Sequence, residues 1–406
     1  MLKNLDLNKI NGYLLLLFTV VFPLSRAVAS MFMAYFVLYF LYSLISKNIP
    51  KDFFKNRLVI ALLLYITYMF STNLWNGIDN KIYETSYYQW FAIFGIAIYL
   101  YKNPQYIYKT ITAFILGMFV SEILSYGMYF DLWTINGKGH RDPTPFMQHI
   151  MYSVFLAVAS ILLLNRVLSK QYNPKEKILF SIFFFTITSN LLISNGRTGQ
   201  IGFVAAIIIV YLLHFKNPIK SFFISISLIL IIFFTGYNML KNFEIRVDNT
   251  ITNIKSIINH NYNTSWGLRV GMWIVANDLV KEKPIFGYGV GGVNKATSEL
   301  FKQKDFGFSK ETKVFISKNH LHNQYLQTIS EGGLVGLFLL FLLYFYILRL
   351  NINNKELKQL SILFVTIYII SSIGDPLLIK QFTRILFIVF IGIFLGASLQ
   401  TRIEND

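Results

Sequence analysis

Apolar runs long enough to cross a lipid bilayer recur along almost the whole chain, and only one long stretch lacks them. A membrane-spanning helix needs about 20 mostly apolar residues, and about twelve such runs are separated by charged or Gly- and Pro-containing breaks. The pattern predicts an all-α polytopic membrane protein with about 12 transmembrane helices. The predicted spans are residues 13–24, 28–45, 58–74, 87–101, 108–130, 147–164, 178–193, 201–213, 221–240, 332–348, 360–373 and 385–399.

The stretch without a bilayer-length run separates predicted helices 9 and 10. It divides the chain into residues 1–240 with transmembrane helices 1–9, residues 241–331 as one large periplasmic loop, and residues 332–406 with helices 10–12 and a cytoplasmic tail. This loop holds 12 of the 37 Lys and Arg residues. Because long loops fall outside the charge bias that orients membrane proteins, the excess favours a phosphate-bearing partner, with an ordinary solvated surface as the alternative.

The basic residues elsewhere predict an orientation. If the N-terminus is cytoplasmic, the predicted inner loops and tails carry 18 Lys and Arg and the short outer loops carry seven. This asymmetry follows the positive-inside rule and supports twelve spans with both termini in the cytoplasm. It also accounts for the net charge of +17 without nucleic acid as a partner. The first apolar run passes through Pro23 and Arg26 without a small-residue cleavage site, so we expect no cleavable signal peptide.

Several classes of chemistry are excluded by missing residues or motifs. The sequence has no cysteine, which removes disulfides, thiolate metal sites and thiol nucleophiles. It has no G-x-x-x-x-G-K-[ST] loop, so no nucleotide is expected as a substrate. It also has no H-E-x-x-H zinc-binding helix. The glycine-rich stretch Lys283-Pro-Ile-Phe-Gly-Tyr-Gly-Val-Gly291 lacks the spacing and βαβ context of a dinucleotide site. Its turn lets main-chain amides approach a ligand, for which we single out Gly289, but a purely structural turn is an equal alternative.

Four motifs surround the large loop in a fixed order. They are Ser194-Asn-Gly-Arg197-Thr-Gly199, the element from Arg269 to Trp273, the stretch Pro284 to Gly291, and the block His322-Asn-x-Tyr-Leu-Gln-x-x-x-Glu331-x-Gly333. Together they resemble the O-antigen ligase and O-antigen polymerase superfamily of bacterial envelope glycosyltransferases. The resemblance spans about residues 194–336, and the other helices match in number and hydropathy.

The resemblance implies a function at the periplasmic face. Members move a glycan from undecaprenyl pyrophosphate to a hydroxyl of an acceptor sugar, which is the lipid A-core oligosaccharide for ligases and another carrier-linked repeat for polymerases. For ligases it implies an inverting, metal-independent reaction without cofactors. Carried over to this sequence, the essential residues are His322, Arg197 and Arg269. The implied partners are the carrier-linked glycan, the lipid A-core acceptor and membrane lipids.

The same three residues suit this chemistry on their own terms. Histidine has an unperturbed pKa of about 6.5, so it can take a hydroxyl proton near neutral pH. Arginine stays charged and binds phosphate oxygens in pairs. We therefore predict a cavity lined by Arg197, Arg269 and His322 that opens sideways to the bilayer. The alternatives are an interfacial, snorkelling Arg197 and a His322 that only binds backbone at a helix start.

Other residues near these motifs are weaker candidates. Asn323, Tyr325 and Gln327 could orient sugar hydroxyls, although such residues are common at membrane interfaces. His320 and His322 alternate by two and could chelate a metal on an extended strand, but the sequence offers no recognisable third ligand. We therefore expect no metal and give His320 a supporting role in substrate binding.

Two further sites have structural explanations of equal weight. Lys138 and Arg141 form a basic outer turn that could grip phosphate or the acceptor, or could simply be solvated. Glu331 precedes the predicted tenth span, where a carboxylate is favoured by the helix dipole, so capping and catalysis are equal alternatives.

Three overall functions are compatible with the sequence. An O-antigen ligase is favoured, and a polymerase shares its chemistry but uses a carrier-linked repeat as acceptor. A transporter or flippase of an anionic glycolipid would also need arginines at membrane depth. Transporters usually contain internal repeats with paired interrupted helices, and none is apparent here.

Overall fold

The computed structural model describes residues 7–75 and 87–403, and the part of the chain that it describes contains helices but no β-strand. The predicted all-α fold class is confirmed. Residues 404–406 of the predicted cytoplasmic tail lie outside the described residues. The helices are α1 (Leu7–Val21), α2 (Arg26–Ile45), α3 (Arg57–Ser71), α4 (Ala92–Lys102), α5 (Ile107–Tyr129), α6 (His149–Leu168), α7 (Pro174–Ile193), α8 (Arg197–His214), α9 (Pro218–Met239), α10 (Lys241–Ile258), α11 (Ser265–Glu282), α12 (Val293–Gln303), α13 (Lys310–Lys318), α14 (Gln324–Leu348), α15 (Lys355–Ser371) and α16 (Gln381–Ile403).

Within the described ranges, nine helical segments are long and apolar enough to cross a membrane. Each of the predicted spans falls on a helix, but α1 has 15 residues, α4 has 11 and α15 has 17, and α3, with 15, reaches 18 only with the 3-10 turn that follows it. The number 12 is therefore not confirmed. The nine are Arg26–Ile45, Arg57–Leu74, Pro104–Tyr129, His149–Leu168, Pro174–Ile193, Arg197–His214, Pro218–Met239, Gln324–Leu348 and Gln381–Thr401.

The bundle is built around helices that are apolar on every side. In α16 an apolar stretch of 18 residues, long enough to cross a membrane, is completely buried, and in α6 83% of the corresponding stretch is buried. Helix α4 packs along α16, and nearly all of its residues are buried as well. A helix that is hydrophobic all round lies in a protein core or faces lipid. In α9 only 17% of the apolar stretch is buried, so this helix faces lipid.

The predicted loop is itself helical and has a small core of its own. Helices α10 to α13 occupy residues 241–318, and side chains from α11, α12 and α13 pack around Met272, Leu279, Leu300 and Ile316. Helix α11 also packs against α14. The loop is thus a folded cap attached to the bundle, and the predicted division of the chain at residues 241 and 332 stays a prediction.

Helix α14 is broken at Gly333, whose φ of 62° and ψ of −165° are not helical. The carbonyls of Ser330 and Glu331 accept from the amides of Tyr288 and Gly289 at 2.8 Å. The Gly332 carbonyl accepts from the Tyr68 hydroxyl at 2.6 Å. Backbone groups freed by a break in a membrane helix must find partners inside the protein, and here the glycine-rich turn supplies most of them.

The other side of the break is satisfied by the same turn. The amides of Leu334 and Val335 donate to the carbonyls of Pro284 and Ile285 at 2.8 and 3.3 Å. A Cβ at Gly333 would lie 2.0 Å from the Ile285 oxygen, so only glycine allows this approach. The glycine-rich turn therefore has the structural role that the sequence left as an alternative.

The start of α14 differs from the prediction. The helix begins at Gln324, before the predicted start at residue 332, and its N-cap is Asn323. Glu331 lies inside the helix, is 3% exposed, and accepts from the Gln327 side chain at 2.8 Å and the Gly291 amide at 3.3 Å. The suggested capping role of Glu331 is therefore wrong, because its carboxylate is bonded to Gln327 and Gly291, whereas the amides of Leu334 and Val335 after the break donate to other carbonyls.

Candidate active site

Three chain segments meet at one end of the bundle. The Ser371 hydroxyl donates to the Thr198 carbonyl at 3.0 Å, which joins the end of α15 to the start of α8. The Gln324 amide donates to the Ser372 carbonyl at 2.8 Å, which joins the start of α14 to the same turn. Residues 197, 322 and 372–380 are thereby held in one region.

The ring of His322 is bound to a buried carboxylate. Its Nδ1 lies 2.8 Å from Asp375 Oδ1, and the Nζ of Lys380 lies 2.5 Å from the other oxygen. The Asp375 side chain is fully buried, whereas the His322 side chain keeps 16% exposure. A carboxylate on one ring nitrogen fixes the imidazole with a proton there and leaves Nε2 as the basic nitrogen.

The charge state of Asp375 follows from its neighbours. Burial alone would raise the pKa of this carboxyl, but the hydrogen bond with His322 and the charge of Lys380 lower it to about 2. Asp375 is therefore ionised at neutral pH. An ionised carboxylate next to a histidine stabilises the imidazolium that forms when the ring accepts a proton.

The loop that carries His322 is held in an uncommon conformation. The φ of His322 is 48°, a region that residues other than glycine rarely adopt. The Gln327 side chain accepts from the Leu321 amide at 2.9 Å, and the Gln324 side chain accepts from the Leu378 amide at 2.9 Å. Such backbone strain persists only where the surroundings enforce it, and it concentrates at functional sites.

His320 lies directly against His322. The two ring centroids are 4.3 Å apart, and the His322 amide donates to His320 Nδ1 at 3.3 Å. Burial lowers the pKa of His320 to about 3, although the charge of Asp375 opposes the shift. His320 is thus neutral near pH 7, in agreement with a supporting role for it.

The structure adds the third potential metal ligand that the sequence did not reveal. Ligand atoms of His320, His322 and Asp375 all lie within 4.8 Å of one another. However, the ammonium of Lys380 already contacts Asp375 at 2.5 Å, and a divalent cation would have to displace or repel it. The residues present therefore suit a charge-paired histidine better than a metal site.

We accordingly expect the catalytic activity assigned to this site to persist after dialysis against EDTA. The measurement is the initial rate of the chelated protein compared with the same protein after addition of Zn²⁺ or Mg²⁺. A loss of more than half the activity that either ion restores would contradict the charge-paired arrangement.

Two arginines lie on the indole of Trp266. The guanidinium carbon of Arg197 is 6.0 Å from the ring centroid and that of Arg269 is 5.8 Å from it. Burial lowers the pKa of Arg269, while the charge of Asp375 opposes this shift. Arg269 is therefore within electrostatic reach of the carboxylate that holds His322, and the structure brings together the three residues that the sequence singled out.

A third arginine and two unpaired donors belong to the same region. The Nη2 of Arg197 donates to the Arg246 carbonyl at 3.2 Å, and burial lowers the pKa of Arg246. The Nε of Arg269 and the Nε1 of Trp266 are buried and have no hydrogen-bond partner within the described chain. Buried donors without an acceptor are rare in folded proteins, and these point to an anion.

The motif around Arg197 is shaped by helix packing. The Gly199 amide donates to the Ser153 hydroxyl at 3.0 Å. A Cβ at Gly199 would lie 2.1 Å from the Ser153 carbonyl oxygen. The glycine therefore lets α8 start directly against α6, which fixes the position of Arg197 at the first residue of α8.

An apolar cavity of about 1140 Å³ ends at Arg197 and Arg246; Arg269 and His322, which the sequence predicted to line the same cavity as Arg197, are not among its described lining residues. Its walls are formed by α8, α9 and α10, and its polar end contains Arg197, Arg246 and Trp266. A cavity with apolar walls and a cationic end matches a lipid with an anionic headgroup.

The residues predicted to orient sugars serve the local fold in this structure. The Asn323 side chain accepts from the amides of Tyr325 and Leu326. The Tyr325 hydroxyl donates to the Ile369 carbonyl at 2.6 Å, and Gln327 bridges Leu321 and Glu331. The Gly289 amide is likewise used within the protein. Their contacts with substrate stay predictions.

The basic outer turn lies next to the Arg197 motif. The Nζ of Lys138 donates to the Thr144 hydroxyl and the Met147 carbonyl, both at 2.8 Å. Arg141 is exposed, and its carbonyl accepts from the Asn195 side chain at 2.7 Å. The role of these two cations in substrate binding also stays a prediction.

Asp375 was not predicted as a site residue from the sequence. It lies in the short turn Ser372-Ile-Gly-Asp375-Pro between two predicted spans, and an acidic residue in such a turn next to Lys380 is a usable signal. Trp266 was also missed, although it lies three residues before Arg269, which is on the same face of a helix.

Comparison with known proteins finds similarity over the middle part of the chain. A family model described as O-antigen ligase matches residues 182–341. A protein from Rickettsia conorii named "Putative polysaccharide ligase RC0486" is 29% identical over 228 residues, which cover 55% of this chain and 51% of the relative. The chain is thus similar to O-antigen ligases over part of its length.

A second relative matches a region of similar length. An uncharacterised protein from Haemophilus influenzae is 32% identical over 247 residues, 58% of this chain and 60% of the relative. The matches thus span about half to three fifths of the length of these two relatives. The O-antigen ligase match includes Arg197, Arg269 and His322 but ends before Asp375, so the carboxylate that holds His322 is visible only in the structure.

Proposed function

We propose that this protein is an O-antigen ligase, which transfers glycan from undecaprenyl pyrophosphate to a hydroxyl of the lipid A-core oligosaccharide. The observation that carries the proposal is the pair of arginines on Trp266 next to a histidine–carboxylate pair. Such a site supplies cations for a departing pyrophosphate and a base for an incoming hydroxyl. It would face the periplasm of the inner membrane.

The donor would occupy the apolar cavity. Its polyprenyl chain would lie between α8, α9 and α10, and its pyrophosphate would meet Arg197, Arg269 and Arg246. The unpaired Nε of Arg269 and Nε1 of Trp266 would then donate to phosphate oxygens. Charge-assisted and bidentate hydrogen bonds of this kind are the strong ones.

The chemical step is a single displacement. The acceptor oxygen forms a bond to the anomeric carbon while the bond from that carbon to the pyrophosphate oxygen breaks. The bonding electron pair leaves with the pyrophosphate, and the hydroxyl proton passes to Nε2 of His322. The Asp375 carboxylate stabilises the resulting imidazolium, and attack opposite the leaving group inverts the anomeric centre.

The decisive test is to identify the transferred product. Purified protein is incubated with undecaprenyl-pyrophosphate-linked glycan and rough lipopolysaccharide, without nucleotide or added metal, and the products are separated on a gel. Glycan on the lipid A-core that requires intact His322 supports a ligase. Longer carrier-linked glycan would make the protein a polymerase, and movement of the donor across vesicle membranes without transfer would make it a flippase.

Replacing Arg197 or Arg269 with lysine should lower kcat/KM for the donor by about 10–100-fold, because a hydrogen bond to a charged group contributes roughly 1.5–3 kcal/mol and lysine cannot bind in the same paired geometry. The measurement is the initial rate at several donor concentrations. Arg349→Lys, at the opposite end of the bundle, is the matched control and should behave like wild type. Full activity in both lysine variants would remove the arginines from the proposed donor site.

A further inference from the structure

A second cavity has His320 in its wall. This cleft has a volume of about 1610 Å³ and is lined by His320 and by four cations: Arg26, Lys138, Lys380 and Arg384. No carboxylate is among the described residues that line it. It is separate from the apolar cavity, which has a different set of lining residues. We refer to it as the basic cleft.

Arg384 is the least expected member of this set. It belongs to the membrane-length helix α16, and its side chain is only 6% exposed. Its guanidinium donates to Gln89 Oε1 at 3.0 Å and to the Ile379 carbonyl at 2.7 Å, both of which are neutral. Glu331 lines a small cavity that it shares with Arg384, but this carboxyl accepts from Gln327 and Gly291 instead.

A buried cation without a counter-ion is unfavourable, because the free-energy cost of desolvation is not offset by attraction to an opposite charge. Charged residues at membrane depth accordingly mark functional positions. Within the described residues, Arg384 forms no ion pair with a carboxylate. An anion that enters the cleft would supply the missing charge.

The other three cations differ in how far a nearby carboxylate compensates their charge. Arg26 is exposed, and the partner of its Nε within the described structure is the neutral Gln381 side chain. Lys138 lies 3.5 Å from Asp142, and Lys380 is paired with Asp375. Arg26 and Arg384 therefore carry the charge that is least compensated.

We propose that the basic cleft binds a phosphate group of the acceptor glycolipid. This inference rests on the proposed transfer function and names the chemistry of its second substrate. Four cations suit a phosphate, which carries up to two negative charges, better than a single carboxylate, and guanidinium groups bind phosphate oxygens in pairs.

The position of the cleft assigns it to the acceptor. His320 forms part of its wall, and the His320 ring lies 4.3 Å from the ring of His322. An acceptor held there would present a hydroxyl to His322 from one side. The donor would occupy the other, apolar cavity, which is lined by Arg197 and Arg246.

The first measurement is binding, which does not depend on turnover. Native mass spectrometry of the detergent-solubilised full chain compares lipid A-core glycolipid that carries its phosphates with the same glycolipid after phosphate removal. Wild type should bind the phosphorylated form at least tenfold more tightly. Arg26→Gln and Arg384→Gln should lose most of this preference, whereas Arg349→Gln, an exposed arginine at the far end, should retain it.

The second measurement is steady-state transfer. In Arg26→Gln, the KM for the phosphorylated acceptor should rise about tenfold or more while the KM for the carrier-linked donor stays within twofold. A rise in the donor KM alone would assign the cleft to the pyrophosphate of the donor and overturn the inference. Equal binding of both glycolipids by wild type would overturn it as well.

The experiments distinguish a failure of phosphate binding in the basic cleft from a folding defect and from a failure of the proposed transfer function. Arg26 is exposed, so its variant tests the cleft even if Arg384→Gln melts at a lower temperature. Preferential binding of the phosphorylated glycolipid without any transfer would leave the cleft intact and refute the ligase. Transfer to phosphorylated and dephosphorylated acceptor with the same KM would support the ligase and refute the cleft.

Discussion

Replacing His322 with glutamine is expected to lower kcat by roughly two to four orders of magnitude, the range that general base catalysis contributes. Glutamine is similar in length and can still donate a hydrogen bond to Asp375, which preserves the loop. It cannot take the proton of the acceptor hydroxyl. We therefore expect the KM for the donor to change little, because the arginines that would hold the pyrophosphate are unaltered.

Single-turnover rates with preloaded donor are the measurement that checks this, since they separate the chemical step from binding. His260→Gln is the matched control, because His260 lies exposed in the same cap and should keep the wild-type rate. If His322→Gln retained more than a tenth of the wild-type rate, the base would have to be another group.

The second large effect concerns folding. Gly333→Ala is expected to destabilise the protein by more than about 4 kcal/mol, a size reached only by a few mechanisms such as backbone strain. The added Cβ would lie 2.0 Å from the Ile285 oxygen, and alanine would have to adopt a φ of 62°. We expect little folded protein in detergent extracts, measured by size-exclusion chromatography and thermal unfolding.

Two control variants separate the causes. Gly307 has a similar φ of 69°, but no atom lies within 4 Å of its Cβ position, so Gly307→Ala tests the backbone conformation alone and should cost about 1 kcal/mol. Gly336→Ala lies three residues after the break and meets only side chains and one carbonyl at 3.2 Å or more. Near-wild-type melting of Gly333→Ala would mean that the break can close into a regular helix.

The fold could be predicted because membrane insertion is encoded locally. Each apolar run of sufficient length specifies its own helix, and all the predicted runs fall on helices. The number of spans could not be fixed, since α1, α4 and α15 are short and are held by packing against neighbours. Tertiary contacts, and not local hydropathy, decide what such segments do.

The start of α14 shows where local reasoning fails. Residues from Gln324 to Glu331 include three amide or carboxyl side chains, which suggested a polar loop end. In the structure these groups are buried and bonded to one another and to neighbouring turns. A polar residue whose partners are distant in sequence looks like a loop residue until the partners are known.

The candidate site was predictable in part. Arg197, Arg269 and His322 lie in recognisable motifs, and the structure brings them into one region. Asp375 lies 53 residues beyond His322, in a turn with no motif, and Arg384 lies inside an apolar helix. Their importance comes from burial and from the charges around them, which only the folded chain creates.

The mutual bonding of the glycine-rich turn and the broken helix sets a rule for engineering this protein. Chimaeras that exchange outer caps between relatives are a natural route to new glycan specificity. A cap cut out at the ends of the predicted loop would separate Pro284 and Ile285 from the amides of Leu334 and Val335, and would leave bare polar backbone in lipid. Successful grafts should therefore carry residues 241–335 as one unit, so that the cap is exchanged together with the broken start of α14.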